Sequence, residues 1–301
     1  VWVMLGKAQL AALDVPAAIA SFIKANDASE YVAVIGAADS AGCHSDLCTY
    51  LVMCRKKVKE AHIDTSLIYA YAKSEQYAVM EEFISAPNVG RIQDVAERCY
   101  TEAMYEAAKL LFTSISNFSR LATCLMHLGQ HQAAVDAARK ANSTRTWKEV
   151  NASCVKHEEF RLAQICALHI IVNPDELEEL ISVYEQGGHF DEVIAVMEAG
   201  LGLERAHMGI FTELGCLYSK YKESKLMEHI KLFWSRLNIR KMLKACEEGA
   251  QWGCVVFLYV HYDEFDNAVT CMIAHPSEAW EPAKFKEILP KVTNTEIFYK
   301  A

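Results

Sequence analysis

Histidines and cysteines in close spacing are where this chain could carry out chemistry. His127 and His131 stand four apart, the interval at which one helix face offers two imidazoles to zinc. The residues between them are Leu-Gly-Gln. They supply no glutamate to act as a base, and Gly129 is a helix terminator. Cys43, His44, Cys48 and Cys54 form a second cluster, but intervals of five and six do not match a zinc knuckle. Glu204 and His207 lie one turn apart, like half of a di-iron Glu-x-x-His motif, and no second copy exists to complete it. The sequence contains no GxxxxGK[ST], GxGxxG or GxSxG. "GLGLERAH" (200–207) has two glycines in what reads as a helical context. The expectation is a chain with no catalytic residues, no metal site and no cofactor, and therefore not an enzyme.

The eleven cysteines run from Cys43 to Cys271 without a CxxC pair. Most sit among apolar neighbours, as Cys124 does in "LATCLM" and Cys166 in "QICALHI". They read as buried, reduced thiols acting as small hydrophobes. Sequons at Asn117, Asn142 and Asn151 are chance matches in such a protein. What remains is charge. The net charge of −9 argues against non-specific nucleic-acid binding. Residues 220–244 run the other way. Lys220, Lys222, Lys225, Lys231, Arg236, Arg240, Lys241 and Lys244 face only Glu223 and Glu228, which leaves +6. Such a strip is either a solvated helix face or a docking strip for an acidic partner. On the second reading, reversing Lys222 and Lys225 weakens that partner's binding. A shorter run, Arg55-Lys56-Lys57 with Lys59, sits at a helix end, where it suits the dipole.

The elements that must position these residues repeat. "GGHFDEVIAVMEAGL" (187–201) is a glycine turn, an anchor at Phe190, and apolar residues three and four positions on at Val193 and Ile194. The same rule recurs at Val15, His44, Tyr77, Tyr105, His131, Phe160, Lys222 (a poor match), Trp252 and Phe265. Successive anchors are 29, 33, 28, 26, 29, 30, 32, 30 and 13 residues apart. The unit is helix, short turn, helix in about thirty residues, the mark of an array whose helix pairs cover one another's apolar faces. Small residues at the third position (Ala18, Ala108, Ala134, Ala163, Ala268) let helices approach closely. The final interval of 13 leaves open which anchor begins the last unit. The aromatics Tyr77, Tyr105, Phe160 and Phe190 read as core anchors.

Fifty-two per cent hydrophobic residues, 23% charged and only 6 prolines favour a helical protein with ample core. Strand alternation and hairpin turns are absent. The fold expected is all-α, a solenoid (α-α superhelix) of stacked antiparallel helix pairs over residues 1–301. No apolar run reaches membrane-spanning length; "CVVFLYV" (254–260) suits a core helix. Turn chemistry agrees. Ser143 or Thr144 can cap a helix before Trp147, Thr146 and Glu149 can form a capping box, and Pro174 opens a helix with acids in its first turn. "HPSEAWEPAKF" (275–285) reads as a longer connection. Both ends, "VWVMLGKAQLAAL" and "NTEIFYKA", read as helix, so the chain is expected to be cut from a longer one.

Several blocks carry a family resemblance: "NSTRTWKEV" (142–150), "DELEELI" (175–181), "LGLERAHMGIFTEL" (201–214), "FWSRLNI" (233–239) and "MCRKK" (53–57). They resemble the clathrin heavy chain, and the likeness runs across essentially all 301 residues. The part resembled is the leg, near the knee and the start of the proximal segment. The resemblance implies a single continuous solenoid segment holding parts of two or three heavy-chain repeats, and a scaffold role. In that family three heavy chains join at their C-terminal ends into a triskelion. Neighbouring legs pack into the lattice of coated pits and coated vesicles on the cytoplasmic side, in endocytosis and vesicle-mediated protein transport. Light chains lie along the proximal leg, and membranes are met only through adaptors. The partners implied are thus clathrin light chain and other heavy chains. The family's basic light-chain contact matches "YSKYKESKLMEH" (218–229), which singles out Lys225; the rest of the strip rests on charge alone. The runner-up is a solenoid subunit of another tethering or coat complex. Cysteine is denser than the family leads one to expect, at Cys43, Cys48, Cys216, Cys246, Cys254 and Cys271. Gly200, Gly215 and Gly253 stand at helix positions, each costing up to about 1 kcal/mol relative to alanine.

Overall fold

Two-residue and three-residue turns set the architecture. The computed structural model describes residues 1–204 and 206–300; Arg205, inside the block 201–214, lies outside them. The described residues are helical with no strand. Contacts divide the chain into two compact units, Val1–Val150 and Asn151–Ala301.

The first unit holds α1 (Trp2–Ala11), α2 (Val15–Ala25), α3 (Tyr31–Ala41), α4 (His44–Arg55), α5 (Ala61–Lys73), α6 (Tyr77–Ser85), α7 (Ile92–Thr101), α8 (Tyr105–Ser114), α9 (Phe118–His127) and α10 (His131–Ala141). Helix α11 (Thr144–Lys156) carries the division within it. The second unit continues with α12 (Phe160–Ile170), α13 (Leu177–Gly187), α14 (Phe190–Gly200), α15 (Met208–Tyr221), α16 (Glu223–Phe233), α17 (Ile239–Glu248), α18 (Trp252–His261) and α19 (Phe265–Ala274). Three short helices follow: α20 (Pro276–Ala279), α21 (Pro282–Ile288) and α22 (Thr295–Lys300). Within each unit a helix packs on its chain neighbour and on the helix two positions away, as α2 does on α1 and α4, and α15 on α14 and α17. That is how repeated helix pairs cover one another.

Every anchor read from the sequence except Lys222 is the first residue of a helix. From Val15 to Trp252 each begins the second helix of a pair, whereas Phe265 begins α19, the first helix of the next pair. The interval of 13 is therefore one helix plus its turn, and Trp252 keeps the register. The turns share one conformation. The residue two before the second helix is left-handed in eight pairs: Leu13, Gly42, Glu75, Ala103, Gly129, Glu158, Gly188 and Ala250. The next amide reaches back five residues, as Gln130 N–H does to the Leu125 carbonyl at 2.9 Å and His189 N–H to Tyr184 at 2.9 Å. This is the Schellman closure, which satisfies carbonyls at the end of the first helix and reverses the chain at once. The α15–α16 junction departs from it: Lys222 alone separates the helices, at φ −142°. That is why the anchor there fits poorly.

The residue three past each anchor except Lys222 is buried, and so is the residue four past it wherever that residue is apolar. Ala18, Ala108, Ala134, Ala163 and Ala268 are fully buried, as expected. Val135, Ile194 and Val256 are at most 3% exposed, each burial contributing about 1.5–3 kcal/mol. The aromatic anchors themselves are not core residues, contrary to the sequence reading: Tyr77, Tyr105, Phe160 and Phe190 are half-buried. At the first position of its helix a side chain lies at the rim of the pair, and there it meets a ring from the pair that follows. Tyr105 stacks on His127 at 4.3 Å, Phe190 on Tyr221 at 4.2 Å and Trp252 on His275 at 3.6 Å, while Phe160 meets His189 edge-on at 4.8 Å.

Other local expectations need correction. The Ser143 backbone carbonyl accepts from Trp147 N–H at 3.0 Å just before α11, but Thr146 and Glu149 lie inside the helix. Thr146 donates to Ser119 at 3.1 Å instead of making a capping box. Residues 201–204 form a turn and bend and residues 206 and 207 precede α15, so Glu204 and His207 share no helix face. His207 caps α15, accepting from Gly209 N–H at 3.1 Å, and its other ring nitrogen meets the Ile171 carbonyl at 2.9 Å. The proline-rich 275–285 stretch contains α20 and the start of α21, each begun by a proline. Gly200 and Gly215 have a packing reason. A Cβ on Gly200 would meet Ile171 Cδ1 at 2.6 Å, and one on Gly215 would meet Met242 Sδ at 2.7 Å.

Candidate partner-docking face

The basic residues of 220–244 are carried by the end of α15, by α16, by a 3-10 turn at Trp234–Arg236 and by the start of α17. The preceding pairs bring acids to four of the eight. Lys220 Nζ lies 3.3 Å from Glu185 of α13, which also accepts from Tyr221 OH at 2.9 Å. Lys222 pairs with Asp191 at 2.8 Å and Lys225 with Glu198 at 2.7 Å, both acids on α14. Lys241 bridges Glu178 of α13 at 3.1 Å and Glu213 of α15 at 2.7 Å. Lys244 is 3.8 Å from Glu248 in its own helix.

These contacts set the local electrostatics. Hydrogen bonds from Lys225 and then from Tyr218 hold the Glu198 carboxyl below its ordinary range. Burial pulls Lys241 down, but Glu213 and Glu178 together outweigh it and raise its pKa. The excess of +6 counted along the sequence is therefore largely cancelled in space, because its counter-charges lie outside the window at 178, 185, 191, 198, 213 and 248. Partly exposed pairs of this kind add little stability, about 0–1 kcal/mol each, but they remove free positive charge from the surface.

Three of the eight cations have no ion pair among the described residues: Lys231, Arg236 and Arg240. All three are exposed. They follow one another through the α16–α17 connection, beside Leu232, which is 67% exposed. Arg236 also lies over the Phe211 ring, 5.1 Å from its centroid. Lys225 keeps half of its side chain exposed while bonded to Glu198. The structure thus moves the centre of free charge from Lys225 to the α16–α17 connection. No sequence signal distinguishes these three from the other five, since pairing is decided by acids on other helices.

The remaining candidates for chemistry are separated or satisfied. His127 ends α9 and His131 begins α10, with Gly129 left-handed at φ +70° between them, so they share no helix face. Among the described residues no group of three or more His, Cys, Asp or Glu is placed to hold a metal ion. A cleft of about 630 Å³ lined by Tyr100, Arg120, His127, Arg145 and Glu149 has its arginines committed, Arg120 to Glu97 at 2.8 Å and Arg145 to Glu149 at 2.9 Å. The cysteines are free thiols, buried except for the half-buried Cys43 and Cys216. Burial pushes Cys99 and Cys124 up to about 12, which keeps them protonated. Asn151 is 1% exposed and donates to the Ala163 carbonyl at 2.8 Å, so its sequon is structural. No helix among the described residues is long and apolar enough to cross a membrane.

Comparison with known proteins agrees with the repeat. The family described as "Clathrin: Region in Clathrin and VPS" matches residues 22–162 and 168–301. Over all 301 residues the chain is 57% identical to the clathrin heavy chain of Dictyostelium discoideum, 56% to that of Drosophila melanogaster and 52% to clathrin heavy chain 2 of Homo sapiens. Each match takes in 100% of this chain and 18% of the relative, so the chain spans under a fifth of the length of those proteins. The chain belongs to the clathrin family and matches its heavy chains along its whole length.

Proposed function

We propose that this chain is a leg segment of a clathrin heavy chain and acts as a structural scaffold of the coat. The observation that carries the reading is the likeness to heavy chains over all 301 residues, 50–57% identical across the relatives compared. On this reading its work is mechanical: repeated helix pairs hold a fixed distance and present side chains to neighbouring legs, on the cytoplasmic face of coated pits and vesicles, in endocytosis and vesicle-mediated transport. That the 301 residues form one continuous array belongs to the same proposal. The test is a chimera in which these residues replace the matching segment of the Dictyostelium heavy chain. Coat assembly at the normal yield supports the scaffold role, and trimers that do not close into coats overturn it.

Light-chain binding is the finer part of the proposal. Lys231, Arg236 and Arg240, with Lys225 at the edge, are the cations available to an acidic helical partner. Reversing Lys231 and Arg240 to Glu weakens purified light chain on the order of tenfold and flattens its salt dependence. Unchanged affinity at low and high salt leaves the cluster a solvated surface. Reversing Lys222 or Lys225 is a poorer test, because each new Glu would face Asp191 or Glu198. A second reading, a subunit of another coat or tethering complex, draws on the family's coverage of VPS proteins as well as clathrin. It predicts failure of the chimera.

A further inference from the structure

Three successive helix pairs of the first unit meet at one cluster of ionisable side chains. His44 is an anchor, as Tyr105 and Phe190 are: it begins α4 and meets a ring of the next pair, Tyr69 of α5, edge-on at 5.9 Å. Its side chain is 13% exposed, and its Nδ1 is shielded from solvent and makes no hydrogen bond. Asp39 Oδ1 of α3 lies 3.7 Å from the same nitrogen, beyond hydrogen-bond length. The Asp39 carboxylate is shared, since its other oxygen is 3.7 Å from Arg98 of α7. Arg98 lies over the Tyr69 ring, 3.6 Å from its centroid, and reaches Glu102, the C-cap of α7, at 3.0 Å. Lys73 of α5 meets Glu102 at 2.5 Å, and Tyr69 OH donates to it at 2.8 Å. Helix α2 also packs on α4, but its one ionisable side chain, Lys24, lies over Trp2 of α1. On α4 itself Asp46 is exposed and Cys48 meets Ser74 Oγ at 3.8 Å. The cluster is thus balanced while His44 is neutral, with Asp39 and Glu102 against Lys73 and Arg98. A proton on His44 adds a charge with no partner of its own, at a shielded nitrogen that two cations face.

We propose that the His44–Tyr69 contact is a proton-operated latch between the α3–α4 and α5–α6 pairs, closed by the neutral imidazole and opened by the imidazolium. Burial is the largest influence on the imidazole and pulls its pKa below the ordinary value; Asp39 pulls it up, Lys73 and Arg98 pull it down, and Glu102 pulls it up. A folded value below the unfolded one means stability that is complete above pH about 6.5 and is lost as the pH falls through the folded value. The array therefore loosens at one pair in mild acid, while its carboxylates stay ionised.

The experiment compares amide exchange of the purified chain at about pH 7.5 and about pH 5.5, corrected for the intrinsic rate at each. The reporters flank the start of α4: Cys43 N–H, bonded to the Ala38 carbonyl at 3.1 Å, and Leu47 N–H, bonded to the Cys43 carbonyl at 3.1 Å. Opening there is expected to rise in acid by up to about tenfold, the most one imidazole proton supplies over that interval. In His44→Phe, which keeps a ring against Tyr69 and binds no proton, opening is expected to be equal at both pH values. Unchanged or slower exchange in acid in the wild type overturns the proposal, and so does an equal acceleration in the folded variant. A second measurement needs no variant. The wild-type His44 imidazole resonance is expected to titrate below the ordinary histidine value. A midpoint at or above that value means that Asp39 tightens the contact on protonation, and the latch is refuted.

Discussion

The repeated turn makes a quantitative prediction. Gly188 and Ala250 occupy the same place in the α13–α14 and α17–α18 turns, both left-handed, at φ 76° and 55°. Both are exposed, and a Cβ on Gly188 would meet nothing within 4 Å, so the substitutions Gly188→Ala and Ala250→Gly test the backbone alone. A left-handed L-residue costs about 1–2 kcal/mol. Restricting the unfolded chain gives back about 0.4–1 kcal/mol. Gly188→Ala should therefore destabilise its turn by about 0.5–1 kcal/mol, and Ala250→Gly should stabilise its own by as much. Because an array opens locally, the assay is hydrogen exchange. The informative amides are those of His189 and Gln251, which reach back to Tyr184 at 2.9 Å and to Cys246 at 2.8 Å. Exchange at His189 should accelerate, and exchange at Gln251 slow, by up to about 5-fold. If both substitutions move exchange in the same direction, turn conformation does not limit opening and the account of the repeat is wrong.

Two helix glycines should respond oppositely to alanine. Gly215→Ala forces its Cβ to within 2.7 Å of Met242 Sδ, which is fully buried. Overpacking of about 1–3 kcal/mol then exceeds the helix-propensity gain of up to about 1 kcal/mol. Gly253→Ala makes only ordinary contacts, 3.5 Å at the nearest, and should raise the urea midpoint by the propensity gain; a loss there would contradict the packing described. Glu102 ties together Lys73 at 2.5 Å, Arg98 at 3.0 Å and Tyr69 at 2.8 Å. Burial pushes its carboxyl up, but the bonds from Lys73, Tyr69 and Arg98 outweigh burial and hold it at about 2. A folded value below the unfolded one means stability that is complete above pH about 4.5 and is lost as the pH falls toward 2. Glu102→Gln should cost about 2 kcal/mol at pH 7 and almost nothing near pH 2 in denaturation curves; a pH-independent cost would place the effect in packing.

The helix pairs, the period, and the start of the second helix in nearly every pair were legible because they depend on local order. Residues three and four after an anchor share a helix face, and burying that face is the same problem in each unit, so it leaves the same pattern. The turns were less legible. Glycine marks Gly42, Gly129 and Gly188, but Leu13, Glu75, Ala103, Glu158 and Ala250 hold the same left-handed conformation. There the Schellman bonds and helix packing impose what the side chain would not choose. Phe265 shows a similar limit, since an anchor looks the same whether it starts the first or the second helix of a pair. The docking face was the least legible. Which of Lys220, Lys222, Lys225, Lys231, Arg236, Arg240, Lys241 and Lys244 stays unpaired depends on Glu178, Glu185, Asp191, Glu198 and Glu213, which stacking brings within 2.7–3.3 Å from earlier helices. Likewise the sequence shows eleven cysteines, and only packing decides that all but Cys43 and Cys216 are buried. The sequence by itself determined the unit and its spacing, because those follow from contacts within about thirty residues. The tertiary structure alone decided which charges remain free, because Coulomb pairing acts across a few ångströms of space whatever the distance along the chain.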